Sequence, residues 1–148
     1  MDNSHDISVL NGLIETTLDS VKGFSDAAED SEGTYTPFFR EMAQERSGVA
    51  SRLQSLVAGL GGNPEQHSSY GAAAHRGFMN LKEALMGTND KAVIEEVERG
   101  EDYLKTKYET ALADTELSPE TRQAIEQAFQ SVRKGHDRAS ALKHSIVA

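Results

Sequence analysis

Four side chains that could bind divalent cations, Glu45, Glu98, Glu101 and His136, lie near the middle of three stretches with helical periodicity. Carboxylates and imidazoles form di-iron and di-manganese centres in four-helix bundles, where two helices each supply a Glu and two others each supply Glu-x-x-His. If the four residues meet in a bundle core, they could support the chemistry of a di-metal carboxylate oxidase or peroxidase that uses iron or manganese.

Glu101 is the most unusual of the four because it interrupts an apolar stripe. Alternating steps of three and four residues trace the inward face of a helix through Ile94, Val97, Glu101, Leu104, Tyr108 and Ala111. Every other position on this stripe is apolar or aromatic. A buried carboxylate is costly unless another group neutralises it or donates hydrogen bonds to it. We therefore expect a compensating partner for Glu101 elsewhere in the chain.

The other helical stretches also carry polar residues near their midpoints. Thr17 lies at the middle of the first, Glu45 or Arg46 in the second, depending on the frame chosen, and His136 with Arg133 in the fourth. All of them fall within about one turn of the midpoint of their helix. The pattern predicts a polar layer across the bundle centre, formed by Thr17, Arg46 and Arg133 together with the carboxylates.

Two interpretations of this layer are open. It could be a metal centre, or it could be a layer of salt bridges and hydrogen bonds that sets the helix register. In the second case Arg46 or Arg133 neutralises Glu101 and Glu98. A guanidinium beside the carboxylates compensates their charge as a metal ion would.

The ligand spacing favours the second interpretation. Glu45 is followed three residues later by Gly48 instead of His, and His136 is preceded three residues earlier by Arg133 instead of a carboxylate. The first helix offers only Thr17 at this height. These are too few ligands for a dinuclear centre, and an arginine in the layer opposes a divalent cation. We therefore expect no cofactor and, on balance, no enzymatic activity.

Outside this layer, few residues suggest a function. Six glycines lie within predicted helices, where close helix approach or room for a bulky neighbour would explain some of them: Gly12, Gly23, Gly48, Gly77, Gly100 and Gly135. His5, near the N-terminus, is expected to be solvated. No phosphate-binding glycine loop or nucleophile elbow is present.

The elements that must position these residues are helices. Helical periodicity runs between only three prolines, with no convincing strand alternation, so the fold class is all-α. Pro37 and Pro119 fall in first helical turns, Ser118 is the expected cap of the last helix, and Gly61 begins a strong terminator. We predict four main helices, over about 5–29, 37–60, 91–114 and 119–146.

The long connection between the second and third main helices holds a fifth, shorter helix, predicted from about Ser69 to Met86. At about 1.5 Å per residue it would span roughly 27 Å, close to the length of the bundle. It can therefore carry the chain from one end of the bundle to the other. The second and third main helices would then run parallel.

Composition limits the partners. The chain has 148 residues, expected to form a single domain over 1–148, with 24 acidic and 15 basic side chains and a net charge of −9. This charge repels nucleic acids and anionic membranes. Cysteine is absent, and no signal peptide or apolar run of about 18 residues is present. We expect a cytoplasmic protein.

Three long segments resemble a bacterial four-helix-bundle family of unknown function that is grouped with the ferritin-like superfamily. They are MAQERSGVASRLQSLVAGLGGNP, HRGFMNLKEALMGTNDKAVIEEVERGEDYLKTKYETAL and VRKGHDRASALKH. The resemblance extends from about Ile7 to Leu142. It implies a ferritin-like bundle with one long crossover, and it implies no established activity.

Our first expectation is a non-catalytic ferritin-like bundle whose metal site is lost or rudimentary. Such a protein would act by binding an unidentified protein partner or by forming a homo-oligomer, in a setting such as stress physiology. The alternative is a di-metal enzyme that binds iron or manganese through Glu45, Glu98, Glu101 and His136.

Overall fold

A computed structural model describes residues 3–30, 35–67 and 90–146. Within these ranges the chain forms four α-helices and no strand, which confirms the all-α class. The helices are α1 (Ser4–Asp30), α2 (Thr36–Gly59), α3 (Asp90–Leu112) and α4 (Pro119–Ile146). The shorter helix predicted from Ser69 to Met86 lies outside the described residues.

The ends of α2 and α4 follow the predicted signals. Ser118 caps α4, because its Oγ accepts the backbone N–H of Thr121 at 3.3 Å, with Pro119 in the first helical position. The end of α2 is followed by Gly61, whose φ of 87° lies in the left-handed region that glycine adopts at little cost. The N–H of Gly62 then reaches the carbonyl of Val57 at 3.0 Å, which is the hydrogen bond of a Schellman motif.

Contacts between helices show the direction of each one. Asn3, at the start of α1, donates to the carbonyl of Leu60 at the end of α2, so α1 and α2 are antiparallel. Between α2 and α4, Ser131 donates to Glu45, and Arg138, further along α4, donates to Glu41, which lies earlier in α2. These two helices are therefore antiparallel as well.

The pair α3 and α4 is also antiparallel. His136, late in α4, binds Asp102 in the middle of α3, whereas Arg122, early in α4, donates to the carbonyl of Leu112 at the end of α3. Because α2 and α3 both run opposite to α4, they run in the same direction. The predicted parallel arrangement of these two helices is confirmed.

The core is divided into two apolar clusters. The first contains Leu10 and Ile14 of α1, and the second contains Phe24 of the same helix. The same division occurs in the other three helices, between Met42 and Val49, between Val97 and Leu104, and between Val132 and Ala139. The interruption is nearly three turns long in α1 and about two turns long in the other three helices, and all four face one another at the centre of the bundle.

Each helix packs mainly against two others and makes a smaller number of contacts with the third. The closest packing is within the hairpins α1–α2 and α3–α4, and the hairpins meet through α1 against α3 and α2 against α4. Among the described residues, no helix is both long and apolar enough to cross a membrane.

Candidate functional site

Arg46 and Glu101 occupy the gap between the two apolar clusters. Arg46 Nη2 donates a charge-assisted hydrogen bond to Glu101 Oε2, and neither side chain has any solvent exposure. The compensating partner expected for Glu101 is therefore Arg46 of α2. Both charges have been removed from water, so each one depends on the other for its stability in the core.

The guanidinium of Arg46, which belongs to α2, reaches the other three helices. Its Nη1 donates to Ser20 Oγ of α1 at 2.9 Å, its Nη2 binds Glu101 of α3, and its Cζ lies 5.9 Å from the ring centroid of Phe24. On α4, buried Gly135 faces the same group. One side chain of α2 therefore ties both hairpins together at the centre of the bundle.

Thr17 and Tyr108 form a second polar contact, and Thr17 lies about one turn before Ser20 on α1. Their hydroxyl oxygens lie 2.8 Å apart, and Thr17 Oγ1 also donates to the carbonyl of Leu13 at 2.7 Å. Threonine has a single hydroxyl proton, so Tyr108 must be the donor to Thr17. Burial raises the pKa of Tyr108 to about 12, against the lowering effect of the Thr17 hydrogen bond, so the phenol stays neutral. These two residues, with Ser20, Arg46 and Glu101, form the central polar layer.

Two buried atoms of the central polar layer have no hydrogen-bond partner in the part of the chain that the structure describes: Arg46 Nε and Glu101 Oε1. The N–H groups of Nε and Nη2 lie on the same edge of the guanidinium, so a carboxylate aligned with that edge would accept a hydrogen bond from each. Here only Nη2 donates to the carboxylate of Glu101. Arg46 and Glu101 therefore form one of the two hydrogen bonds of a bidentate arginine–carboxylate pair.

The four proposed metal ligands have different surroundings and do not form one cluster among the described residues. Glu45 is half-buried and accepts a hydrogen bond from Ser131 Oγ at 3.0 Å, and Glu98 is half-buried. His136 lies at the outer side of the α3–α4 pair, where its Nε2 is 2.5 Å from Asp102 Oδ1. Glu101 is bound to Arg46. Within the described residues, no three of these four bring ligand atoms within 4.8 Å of one another.

Arg133 is not part of the central polar layer. It is exposed, and its Cζ lies 5.8 Å from the ring centroid of Phe129. At about 100° per residue, Arg133 points some 200° away from Gly135, which faces the core. The prediction that Arg133 reaches the core is therefore wrong. The residue of α4 that faces the central polar layer is Gly135, which leaves room for Arg46 because it has no side chain.

Sequence reasoning missed Ser20 and the hydroxyl of Tyr108. Ser20 lies three residues after Thr17, on the same face of α1, so the helical period could have identified it. Tyr108 was assigned to the apolar stripe of α3, but a buried tyrosine hydroxyl usually finds a hydrogen-bond partner.

A second polar cluster lies at the end of the bundle where α1 begins. Buried Asp6 of α1 accepts hydrogen bonds from Ser118 Oγ at 2.6 Å, from the Ser118 N–H at 3.3 Å and from Thr121 Oγ1 at 2.9 Å. Burial alone would raise the pKa of Asp6, but the hydrogen bonds from Ser118 and Thr121 together hold it below its usual value. Asp6 therefore fastens the first turn of α1 to the first turn of α4.

His5, next to Asp6, contacts the loop between α3 and α4. Its Nε2 lies 2.7 Å from Asp114 Oδ2 and 3.9 Å from Glu116 Oε2. The hydrogen bond with Asp114 raises the pKa of His5. The pKa of Asp114 is lowered, first by the N–H of Glu116 and then by His5. Within the described ranges, His5, Asp114 and Glu116 form a group of possible metal ligands whose ligand atoms all lie within 4.8 Å of one another.

Comparison with known proteins identifies the family of this chain. A family model described as "Domain of unknown function (DUF2383)" matches residues 5–114, nearly three quarters of the chain. The matched range contains Thr17, Arg46 and Glu101, whereas α4 with Gly135 lies beyond it. A search of curated proteins finds no match. Because the match covers well over half of the chain, the protein belongs to the family described as Domain of unknown function (DUF2383).

Proposed function

We propose that this protein is a non-catalytic helical bundle of the ferritin-like type that acts by binding a protein partner or by self-association. The observation that carries this proposal is the hydrogen bond between Arg46 and Glu101 in the fully buried centre of the bundle. In this position a di-metal protein would hold carboxylates around its ions.

The charge of the central polar layer argues for a structural role. The positive charge of Arg46 compensates the negative charge of Glu101. A divalent cation placed there would be repelled by the guanidinium that is already bound to Glu101. The remaining members of the layer are the neutral hydroxyls of Thr17, Ser20 and Tyr108. The layer is thus a hydrogen-bonded connection between helices, and it offers no group of carboxylates free to bind metal.

The arrangement of the helices supports the ferritin-like part of the proposal. Because α2 and α3 run in the same direction, the chain between Leu60 and Asp90 has to join opposite ends of the bundle. We propose that the helix expected over 69–86 makes this crossover. An experimental structure in which that segment lies along the bundle would support the assignment, and one in which it extends away from the bundle would contradict it.

The overall charge bears on the class of partner. A formal charge of −9 repels phosphate backbones and anionic lipid headgroups. A protein partner with a neutral or basic surface does not face this repulsion, whereas a second copy of this chain carries the same charge and must offset it through local contacts. Sedimentation velocity over a range of concentrations separates the two modes of action. A dimer that forms with increasing concentration supports self-association, and a persistent monomer supports an external protein partner.

Elemental analysis tests the non-catalytic assignment. The protein would be produced with added iron and manganese and purified without chelators, alongside the Glu101→Gln and His5→Gln variants. We expect no metal that depends on Glu101. About two equivalents of iron or manganese that disappear in Glu101→Gln but persist in His5→Gln would overturn the proposal in favour of a di-metal enzyme.

A further inference from the structure

We propose that His5, Asp114 and Glu116 form a binding site for one divalent transition-metal ion, such as Zn²⁺, at the end of the bundle where α1 begins. The site is separate from the central polar layer and does not depend on the non-catalytic function proposed above. Its ligand set is one imidazole nitrogen and two carboxylate oxygens, which are ordinary zinc ligands.

The three ligand atoms lie close to the spacing that a metal ion requires. Zinc binds nitrogen and oxygen at about 2.0–2.2 Å, so two ligand atoms of a tetrahedral ion are about 3.3–3.6 Å apart. His5 Nε2 lies 2.7 Å from Asp114 Oδ2 and 3.9 Å from Glu116 Oε2. These distances bracket the required value. All three ligand atoms lie within 4.8 Å of one another, so small side-chain movements would place them around one ion.

Groups that are not ligands hold the loop in position. Arg122 of α4 donates to the carbonyl of Leu112 at 2.6 Å and to the carbonyl of Asp114. The backbone N–H of Glu116 donates to Asp114 Oδ1 at 2.8 Å, which leaves Oδ2 directed at His5. The orientation of the Asp114 carboxylate is thus set by contacts that a bound ion would not disturb.

The opposite side of the site is held by Asp6. Its carboxylate binds Ser118 and Thr121 of α4, and it is the residue next to His5. The first turn of α1 and the loop before α4 are consequently joined before any ion binds. This pre-organisation reduces the entropy lost when the ligands converge on an ion.

A second histidine–aspartate contact in the same protein shows what distinguishes this site. His136 Nε2 lies 2.5 Å from Asp102 Oδ1, but the other nearby carboxylate, that of Asp137, lies 3.8 Å from the opposite ring nitrogen, Nδ1. No single ring nitrogen of His136 therefore faces two carboxylates of the described residues. At His5 both carboxylates face Nε2.

Calorimetric titration with zinc chloride, in a buffer that does not bind metal, tests the proposal directly. We expect wild-type protein to bind one equivalent, His5→Gln to bind at least about tenfold more weakly, and His136→Gln to match wild type. His5 is exposed, so the His5→Gln variant should fold, and its circular dichroism spectrum would verify this. Absence of zinc binding, or equal weakening in the two histidine variants, would overturn the proposal.

Thermal unfolding provides a second readout. An ion that binds only the folded state raises the unfolding midpoint. We expect added zinc to raise the midpoint of wild type and of His136→Gln, with little effect on His5→Gln or Asp114→Asn. A similar rise in all four proteins would show that zinc binds elsewhere and would contradict the assignment. Because Glu101 takes no part in this site, either result leaves the test of the central polar layer unaffected.

Discussion

Gly135 of α4 lies directly against the guanidinium of Arg46, with no room for a side chain between them. A Cβ atom at position 135 would lie 2.7 Å from Met42 Cε and closer still to Arg46 Nη2. Buried carbon atoms do not approach each other so closely. The glycine is therefore what allows α4 to pack over the buried ion pair.

Gly135→Ala is expected to destabilise the protein, although this change normally stabilises a helix by up to about 1 kcal/mol. The added methyl group must displace Arg46 or Met42 within a packed core, and such overpacking typically costs about 1–3 kcal/mol. The free energy of unfolding in urea measures the effect. Gly48→Ala is the matched control, because Gly48 is exposed in α2 and the new Cβ would have no neighbouring atom of the described residues within 4 Å. Stabilisation of both variants would contradict the packing described for Gly135.

Glu101→Gln is expected to lower the free energy of unfolding by well over 1 kcal/mol. It removes the charge that compensates buried Arg46, and breaking one side of a buried pair typically costs about 3–5 kcal/mol. Glu109→Gln, an exposed change in the same helix, should stay within about 0.5 kcal/mol of wild type. Urea midpoints that coincide for the two variants would mean that the charge of Glu101 contributes nothing to folding.

Replacing the whole ion pair should cost much less than breaking it. We expect Arg46→Met alone to be strongly destabilising, because it leaves the Glu101 carboxylate buried without a cation. The double variant with Glu101→Leu should recover most of the loss, since well-packed apolar residues often replace buried ion pairs at little cost. A double-mutant cycle measures the coupling. Strictly additive losses in the cycle would be inconsistent with a direct interaction between the two side chains.

Asp6 should make folding stability fall in acid. The pKa of its carboxyl in the folded protein lies below the ordinary value of 3.8, so the folded protein binds fewer protons than the unfolded chain as pH falls through this range. The contribution of Asp6 is therefore fully present above about pH 4 to 5 and is lost as the pH falls through its folded pKa. Urea midpoints measured between about pH 7 and pH 3 would show this loss.

The Asp6→Asn variant isolates that contribution. At neutral pH it should be less stable than wild type by about 1–3 kcal/mol, because the hydroxyls of Ser118 and Thr121 lose a charged acceptor. Its stability should also decline less steeply in acid than that of wild type. Parallel acid profiles for the two proteins would show that another carboxylate dominates the acid response.

The sequence alone determined the four main helices and the position of Glu101 in the core. Helical period, the Ser118 cap and the glycine at the end of α2 are local signals that act over a few residues, and the structure follows them closely. The sequence also showed that the apolar faces of all four helices are interrupted at the same height in the bundle. Each interruption could be located relative to the midpoint of its own helix.

Only the tertiary structure decided which groups meet. The second helix could be drawn with either Glu45 or Arg46 facing inward. Arg133 of the fourth helix was an equal candidate partner for Glu101 until packing buried Arg46 and exposed Arg133. The contacts of His5 with Asp114 and of Asp6 with Ser118 join residues 109 and 112 positions apart. Local periodicity determines which face of a helix is apolar. It cannot determine the rotation and height of one helix against another, and these depend on side-chain packing among all four helices.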